Sequence, residues 1–268
     1  MVFGWNRTML MRSLALSVLV GVPLGSQAAH AVTPTYAPGD WIETEGGRVR
    51  LVLGSARIDG TVRGALEIDL EPGWKTYWIA PGPAGIAPQF ETWRSENLTL
   101  DRVDYPAPIR FYEAYGTSVG YDMDVVFSFT FRVDDPEQTS RLSMSGLIGV
   151  CEDICIPVQF AIDGLVRTGM STSFADGRVI RAAANALPEL GDASTVSAKL
   201  NGDHILLSGD PFSSAAEVFT AHEGASLGEP ERTEAGFSVP VLGGAVENEL
   251  IVVVRSSGNE ARYVVPIE

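Results

Sequence analysis

The chain carries two cysteines, Cys151 and Cys155, in the stretch "GVCEDICIPV" at 149–158. Thiols at this spacing can close a disulfide, supply half of a metal site, or exchange electrons with another protein's disulfide. A bridge across so short a loop removes little chain entropy, because that stabilisation grows with loop length. A chain of 268 residues also has enough interior to fold without a staple. Two thiolates need further thiolate or imidazole ligands to hold a metal, and no other Cys or His lies near them in the sequence. Met123, Met144 and Met170 do not cluster, which disfavours a copper site. No catalytic triad or phosphate loop is evident. Glu152 and Asp153 oppose thiolate formation beside them. That suits a pair that passively accepts or donates electrons better than one that attacks aggressively.

The flanking residues say how the pair is held. In "RLSMSGLIGV", Leu142, Met144, Ile148 and Val150 share one parity; in "IPVQFAI", Ile156, Val158, Phe160 and Ile162 do the same. With Cys151 opposite Cys155, Val150 faces Ile156, Ile148 faces Val158 and Met144 faces Ile162. Apolar residues then meet on a single face, which fixes a register. Opposed Cα atoms in an antiparallel pair are about 4.5–5.5 Å apart, within disulfide range. Two features argue for an irregular tip. A three-residue hairpin loop prefers glycine last, where this one has Ile154, and Pro157 removes a ladder donor, which favours an edge strand. A helical turn, which also brings positions four apart together, stays open as an alternative.

Around this motif, residues 40–165 alternate with period two. Leu66, Ile68 and Leu70 alternate with Glu67 and Asp69; Phe127, Phe129, Phe131 and Val133 alternate with Ser128, Thr130 and Arg132. Breaks at "EPG", "APGPAG" and "DDPEQ" read as turns. The pattern predicts an antiparallel β-sandwich. At 171–188 the period becomes helical: Val179, Ile180, Ala183, Ala184 and Leu187 share a face, Ser173 can cap the start and Pro188 stops it. Alternation resumes from about 193. The expected organisation is a leader at 1–31, a first β-domain at 32–168, a helical linker at 169–190 and a second, smaller β-domain at 191–268. His204 and His222 in the second β-domain are read as surface or structural residues.

Arg7 and Arg12, the apolar run "SLALSVLVGVPLG" and the small residues of "AHA" at 29–31 form an export-signal pattern, with cleavage expected after Ala31. No later apolar stretch approaches the roughly 18 residues of a spanning helix. The expectation is an exported protein that does not span the membrane after cleavage, in a compartment where disulfides persist. The net charge is −15 and the only lysines are Lys75 and Lys199. Such a surface repels phosphate backbones, which disfavours nucleic acid as a partner.

Three blocks, "GWKTYWIAPGPAGIAPQF", "YPAPIRFYEAYGTSVGY" and "CEDICIPV", resemble the N-terminal periplasmic domain of the DsbD/ScsB thiol:disulfide interchange proteins. The likeness covers roughly 40–165, and the region beyond resembles the ScsB-like branch loosely. It implies an immunoglobulin-like fold with Cys151 and Cys155 as the redox pair, the latter meeting incoming thiols. It also implies an aromatic cap supplied by Phe111, Tyr112 or Tyr115. Trp74, Tyr77 and Trp78 are read as scaffold. The implied partners are the thioredoxin-like domain of a membrane thiol transporter and periplasmic thiol oxidoreductases. Those serve disulfide isomerisation, cytochrome c maturation or metal-stress tolerance; no metal or organic cofactor is expected. The DsbD branch spaces its cysteines more widely, so the spacing here fits the ScsB-like branch. Transmembrane and thioredoxin-like regions are not in the sequence, so the expectation is a separate subunit that docks on a transporter. The other reading is an exported β-sandwich binding module whose disulfide only rigidifies a hairpin.

Overall fold

The computed structural model describes Met1 and residues 34–113, 116–168, 171–256 and 258–268. Apart from Met1, the leader read at 1–31 lies outside the described residues, as does Tyr115. Two alternating segments set the frame of the first sandwich. "VVFSFTFR" becomes the strand Val125–Arg132, with Phe127, Phe129 and Phe131 fully buried. It pairs with Thr61–Leu70 on one side and Thr99–Asp104 on the other. With Gly47–Leu53 and Ile42–Thr44 they complete a five-stranded sheet. Facing it is a seven-stranded sheet. Its path runs Thr35–Tyr36, Cys155–Val166, Ser140–Cys151, Lys75–Tyr77, Gly116–Tyr121 and Ile109–Glu113, and Gln89–Glu91 also pairs with Ser140–Cys151. The core between them is aromatic: Phe127 meets Tyr105 and Tyr121, and Phe129 meets Phe90 and Phe131. The expected immunoglobulin-like sandwich is the observed architecture. Its neighbours in the two sheets are antiparallel except for the short strand Thr35–Tyr36, which runs parallel to Cys155–Val166.

The predicted helix is Phe174–Asn185. Ser173 caps it by accepting from the Asp176 N–H at 3.1 Å. It packs against Gly47–Leu53, Thr61–Leu70 and Val125–Arg132, which helps bury Ser128 and Thr130, the polar residues of that strand's alternation. Of the apolar face expected, Ala183 is buried, Val179, Ile180 and Leu187 are half-buried, and Ala184 is exposed.

Beyond the helix, two further sheets face each other. One orders Glu189–Leu190, Asn259–Pro266, Glu249–Ser256 and Glu217–Ala221; the other orders Val196–Asn201, His204–Gly209, Gly236–Gly244 and Ala225–Leu227, with Glu231–Thr233 also on Gly236–Gly244. Ala198, Ile205, Leu207, Val239 and Leu250 lie in their core. The sheet containing Glu217–Ala221 and Glu249–Ser256 is buried on both faces. Val218, Val252 and Val254 enter the second core, while Phe219, Ala221 and Val253 enter the first. This explains the unbroken apolar run "LIVVV", which a strand wet on one face would not carry.

Polar groups fix the same seam. Asp104, 2% exposed, receives Arg262 Nη1 at 2.5 Å on one carboxylate oxygen and Arg102 Nε at 2.6 Å on the other. Arg255 Nη1 donates to the Pro108 carbonyl at 3.1 Å. Removing one member of a buried charge cluster leaves the rest uncompensated. Asp104→Ala is therefore expected to cost about 3 kcal/mol, read as a lower urea midpoint at unchanged m-value. Asp69→Ala, which breaks the exposed pair with Arg48, is expected to cost about 1 kcal/mol or less.

Candidate functional site

The strands Ser140–Cys151 and Cys155–Val166 pair without a slip from Ser140 opposite Val166 to Cys151 opposite Cys155. The predicted partners are the observed ones: Val150 with Ile156, Ile148 with Val158, Met144 with Ile162. The tip is a hairpin and not a helical turn, with Glu152, Asp153 and Ile154 all exposed. Pro157 is tolerated because the strand's outer neighbour, Thr35–Tyr36, reaches only Ala161 and Ile162. The two Sγ atoms stand 2.6 Å apart. A contraction of roughly half an ångström would bring them to the bond length of a disulfide. Cys151 is fully buried and Cys155 is partly exposed.

Tyr77 organises the pair from the next strand. Lys75–Tyr77 runs alongside the hairpin, with Lys75 opposite Cys151 and Thr76 opposite Val150. The Thr76 hydroxyl fastens it by donating to the Gly149 carbonyl at 2.8 Å. The Tyr77 ring stands between two glycines. A Cβ on Gly149 would lie 2.7 Å from its Cδ2, and one on Gly85 would lie 2.8 Å from its Cδ1. Held in that slot, the phenol places its hydroxyl 2.9 Å from Cys155 Sγ. Tyr77 was read from sequence as scaffold; the structure puts it in the site. The available signal was the glycine on each side, in "PGPAG" and "LIGVC", but a three-residue strand shows no alternation to say where Tyr77 points.

Burial is the largest influence on the Cys155 thiol and pushes its pKa above the ordinary value; the Cys151 thiol beside it pushes the same way. The Tyr77 hydrogen bond and the Lys75 charge pull it down. Burial likewise drives the Tyr77 phenol far above its usual value, with both thiols adding to the effect. Tyr77 therefore remains protonated and can donate to a Cys155 thiolate.

The candidate cap residues divide between two faces. Phe111 and Glu113, in the strand Ile109–Glu113, turn toward the site. The Lys75 ammonium lies 5.1 Å from the Phe111 ring centre and forms an ion pair with Glu113. Tyr112 points the other way. It is 75% exposed and donates to Glu229 at 3.3 Å. Its neighbour Arg110 is held by Glu229 at 2.9 Å and by the Val218 carbonyl at 3.0 Å, with the Phe219 ring beneath it. The second sandwich thus grips the back of this strand. The loop 80–88 closes another side, with the Ala84 carbonyl 3.8 Å from Cys155 Sγ.

Among the described residues, no cluster of three or more His, Cys, Asp or Glu is placed to hold a metal. The clefts of about 720 and 820 Å³ lie on the seam between the sandwiches, and neither is lined by a cysteine. His204 contacts Asp203 at 2.8 Å, and His222 accepts from the Gly224 N–H at 2.9 Å. No helix of the described residues is long and apolar enough to cross a membrane.

The site is thus a dithiol at the tip of a hairpin in an immunoglobulin-like sandwich, with one sulfur buried and the other partly exposed. The family model described as "Thiol:disulfide interchange protein DsbD, N-terminal" matches residues 49–166. Residues 49–166 thus carry the N-terminal domain that this family model describes. Among solved structures, the chain is similar to the N-terminal periplasmic domain of ScsB from Proteus mirabilis. The TM-score is 0.64 and the identity 22%, covering 87% of this chain and 99% of that one. The shared fold therefore extends through both sandwiches. A conserved domain protein from Bacillus anthracis matches with a TM-score of 0.26 and 9% identity over 82% of this chain and 77% of that one, too loosely to bear on the fold. Comparison with curated proteins gives no match.

Tyr77→Phe keeps the ring in its slot and removes the donor. The Cys155 thiol is then expected to titrate at higher pH, and iodoacetamide alkylation near pH 7 to slow several-fold. A pH–rate profile followed by mass spectrometry reads both.

Proposed function

We propose that the chain is a periplasmic dithiol relay. It takes reducing equivalents from the thioredoxin-like domain of a membrane thiol transporter and passes them to periplasmic thiol oxidoreductases. The observation that carries this reading is the asymmetric pair: Cys155 partly exposed at the tip, and Cys151 buried 2.6 Å behind it. A structural bridge has no use for one accessible sulfur with a phenol donor aimed at it.

In this reading the exchange runs through the two sulfurs in turn. Cys155 loses its proton and its thiolate attacks a sulfur of the partner's disulfide. That S–S bond breaks, the other partner sulfur leaves as a thiolate, and a mixed disulfide forms at Cys155. Cys151 then loses its proton and attacks Cys155 Sγ from within contact range. The intramolecular disulfide closes and the partner departs as a dithiol, having gained two electrons. The membrane transporter reverses the sequence. Tyr77 stabilises the Cys155 thiolate by donating to it, both before attack and whenever Cys155 is the leaving group. Phe111 is the cap candidate best placed for shielding, because it packs on the Lys75 side chain beside the pair.

Two measurements test the relay. In the Cys151→Ser protein, mixed disulfides with periplasmic partners are expected to accumulate, because nothing resolves them; in Cys155→Ser they are expected to vanish. If neither change alters the thiol state of any periplasmic protein, the relay reading fails. The reduction potential supplies the second test. A relay pair is expected above about −300 mV and in rapid equilibrium with a thioredoxin-like protein, whereas a structural bridge lies below that value.

A further inference from the structure

The loop between the two cysteines shares one end of the first sandwich with two other turns. A Cβ on Gly73 would lie 3.3 Å from Glu152 Oε1, so the turn 71–74 abuts the hairpin loop. The turn 122–124 comes next, because the Leu70 N–H donates to Asp124 Oδ1 at 3.0 Å. The sheet register agrees. Lys75 stands opposite Cys151 and Thr76 opposite Tyr121, which puts the turn 122–124 two strand spacings from Cys151, about 10 Å. The hairpin loop and this turn have the same character. Each lifts one large apolar side chain into solvent: Ile154 is 75% exposed and Met123 70%. Each sets it among exposed carboxylates, with Glu152 and Asp153 in one, Asp122 in the other, and Glu71 in the turn between. The cations at this end leave that rim acidic, because Lys75 is buried and Arg48 pairs with Asp69.

Folding does not ask for Ile154. The register of the hairpin is set by its inner face, and the last position of such a loop prefers glycine. A single exposed apolar residue is ordinary. Two of them at the end that carries the partly exposed sulfur, inside a ring of carboxylates, have the layout of a contact surface: apolar at the centre and charged at the rim. We propose that this end of the first sandwich is a docking face for a protein that is apolar beside its reactive sulfur and basic around it. The proposal rests on the relay reading and specifies the kind of oxidoreductase that reading invokes. Ile154, one residue before Cys155, enters the apolar patch beside the partner's sulfur, and Met123 widens the contact. The carboxylates attract a basic rim and repel an acidic one, so the face discriminates by charge as well as by shape.

The probes are three short peptides, each with one cysteine carried as its mixed disulfide with thionitrobenzoate. The first flanks that cysteine with leucine and arginine, the second with leucine and aspartate, the third with glycine and serine. In the reduced full chain the Cys155 thiolate attacks the peptide sulfur, the S–S bond breaks and thionitrobenzoate leaves as a coloured anion. Cys151 then closes on Cys155 and releases the peptide thiol. Each rate is divided by that of the same peptide with mercaptoethanol, which removes the peptide's own reactivity. Circular dichroism confirms the fold of each variant. At low salt the leucine–arginine peptide is expected to react about tenfold faster than the leucine–aspartate one, and high salt to close the gap. Ile154→Ser is expected to slow both leucine peptides about fivefold and to leave the glycine–serine peptide at the parent rate. Glu71→Gln combined with Asp122→Asn, both away from the sulfurs, is expected to shrink the charge preference about threefold. The proposal is overturned if the parent treats the three peptides alike, or if the carboxylate changes leave the charge preference intact. It is also overturned if Ile154→Ser slows all three equally, since Ile154 would then act on the thiol and not on the partner. The peptides need no cellular partner, so a parent that discriminates among them while altering no periplasmic protein's thiol state keeps the docking face and loses only the relay.

Discussion

The pairing of Cys151 with Cys155 is enforced far from the sulfurs. Side chains alternate along a strand, so a one-residue slip would send the two thiols to opposite faces of the sheet. The slip is prevented by the apolar set on the inner face: Leu142, Met144, Ile148 and Val150 on one strand, Val158, Phe160 and Ile162 on the other, each 8% exposed or less. Shifting either strand would turn that set toward water. The hairpin loop therefore has no register to maintain. It can be exposed, acidic and without glycine, and it can be touched by another protein without disturbing the geometry behind it.

Reactivity at the tip is a balance set by neighbours on other strands. Burial favours the protonated thiol, and the Tyr77 phenol and the Lys75 ammonium oppose it. Tyr77 can act only because its ring is pinned in a slot that Gly85 and Gly149 leave open. Lys75 is tied to a carboxylate on a separate hairpin. The site is thus assembled from three lengths of chain far apart in sequence. One supplies the sulfurs, one the phenol and ammonium beside them, and one the carboxylate and aromatic ring that meet that ammonium.

What could be read beforehand follows that division. The sandwich, the capped helix and the cysteine register were legible because each is encoded by local periodicity or by two parities meeting at a known point. Tyr77 was not. The strand Lys75–Tyr77 is buried at all three positions, so its sequence carries no inside–outside contrast. The aromatics of Ile109–Glu113 could be named from the sequence, but the strand's two faces separate Phe111 from Tyr112, and only the fold shows that Glu229 claims the latter. The seam was illegible for another reason. Asp104 and Arg262 meet across 158 positions, and no pattern within either segment announces the other.

The strands Glu217–Ala221 and Glu249–Ser256 place Phe219, Ala221 and Val253 in the first core, and Phe219 stands edge-on to Trp78 at 6.3 Å. The two sandwiches are therefore not independent beads joined at the helix. Ending the chain there would strip three side chains from a finished interior and leave Trp78 facing water. Melting either half would expose apolar surface belonging to the other, which couples the stability of the two sandwiches. A hairpin tip exposed at one end of the first sandwich is thereby set on a rigid mount at the other.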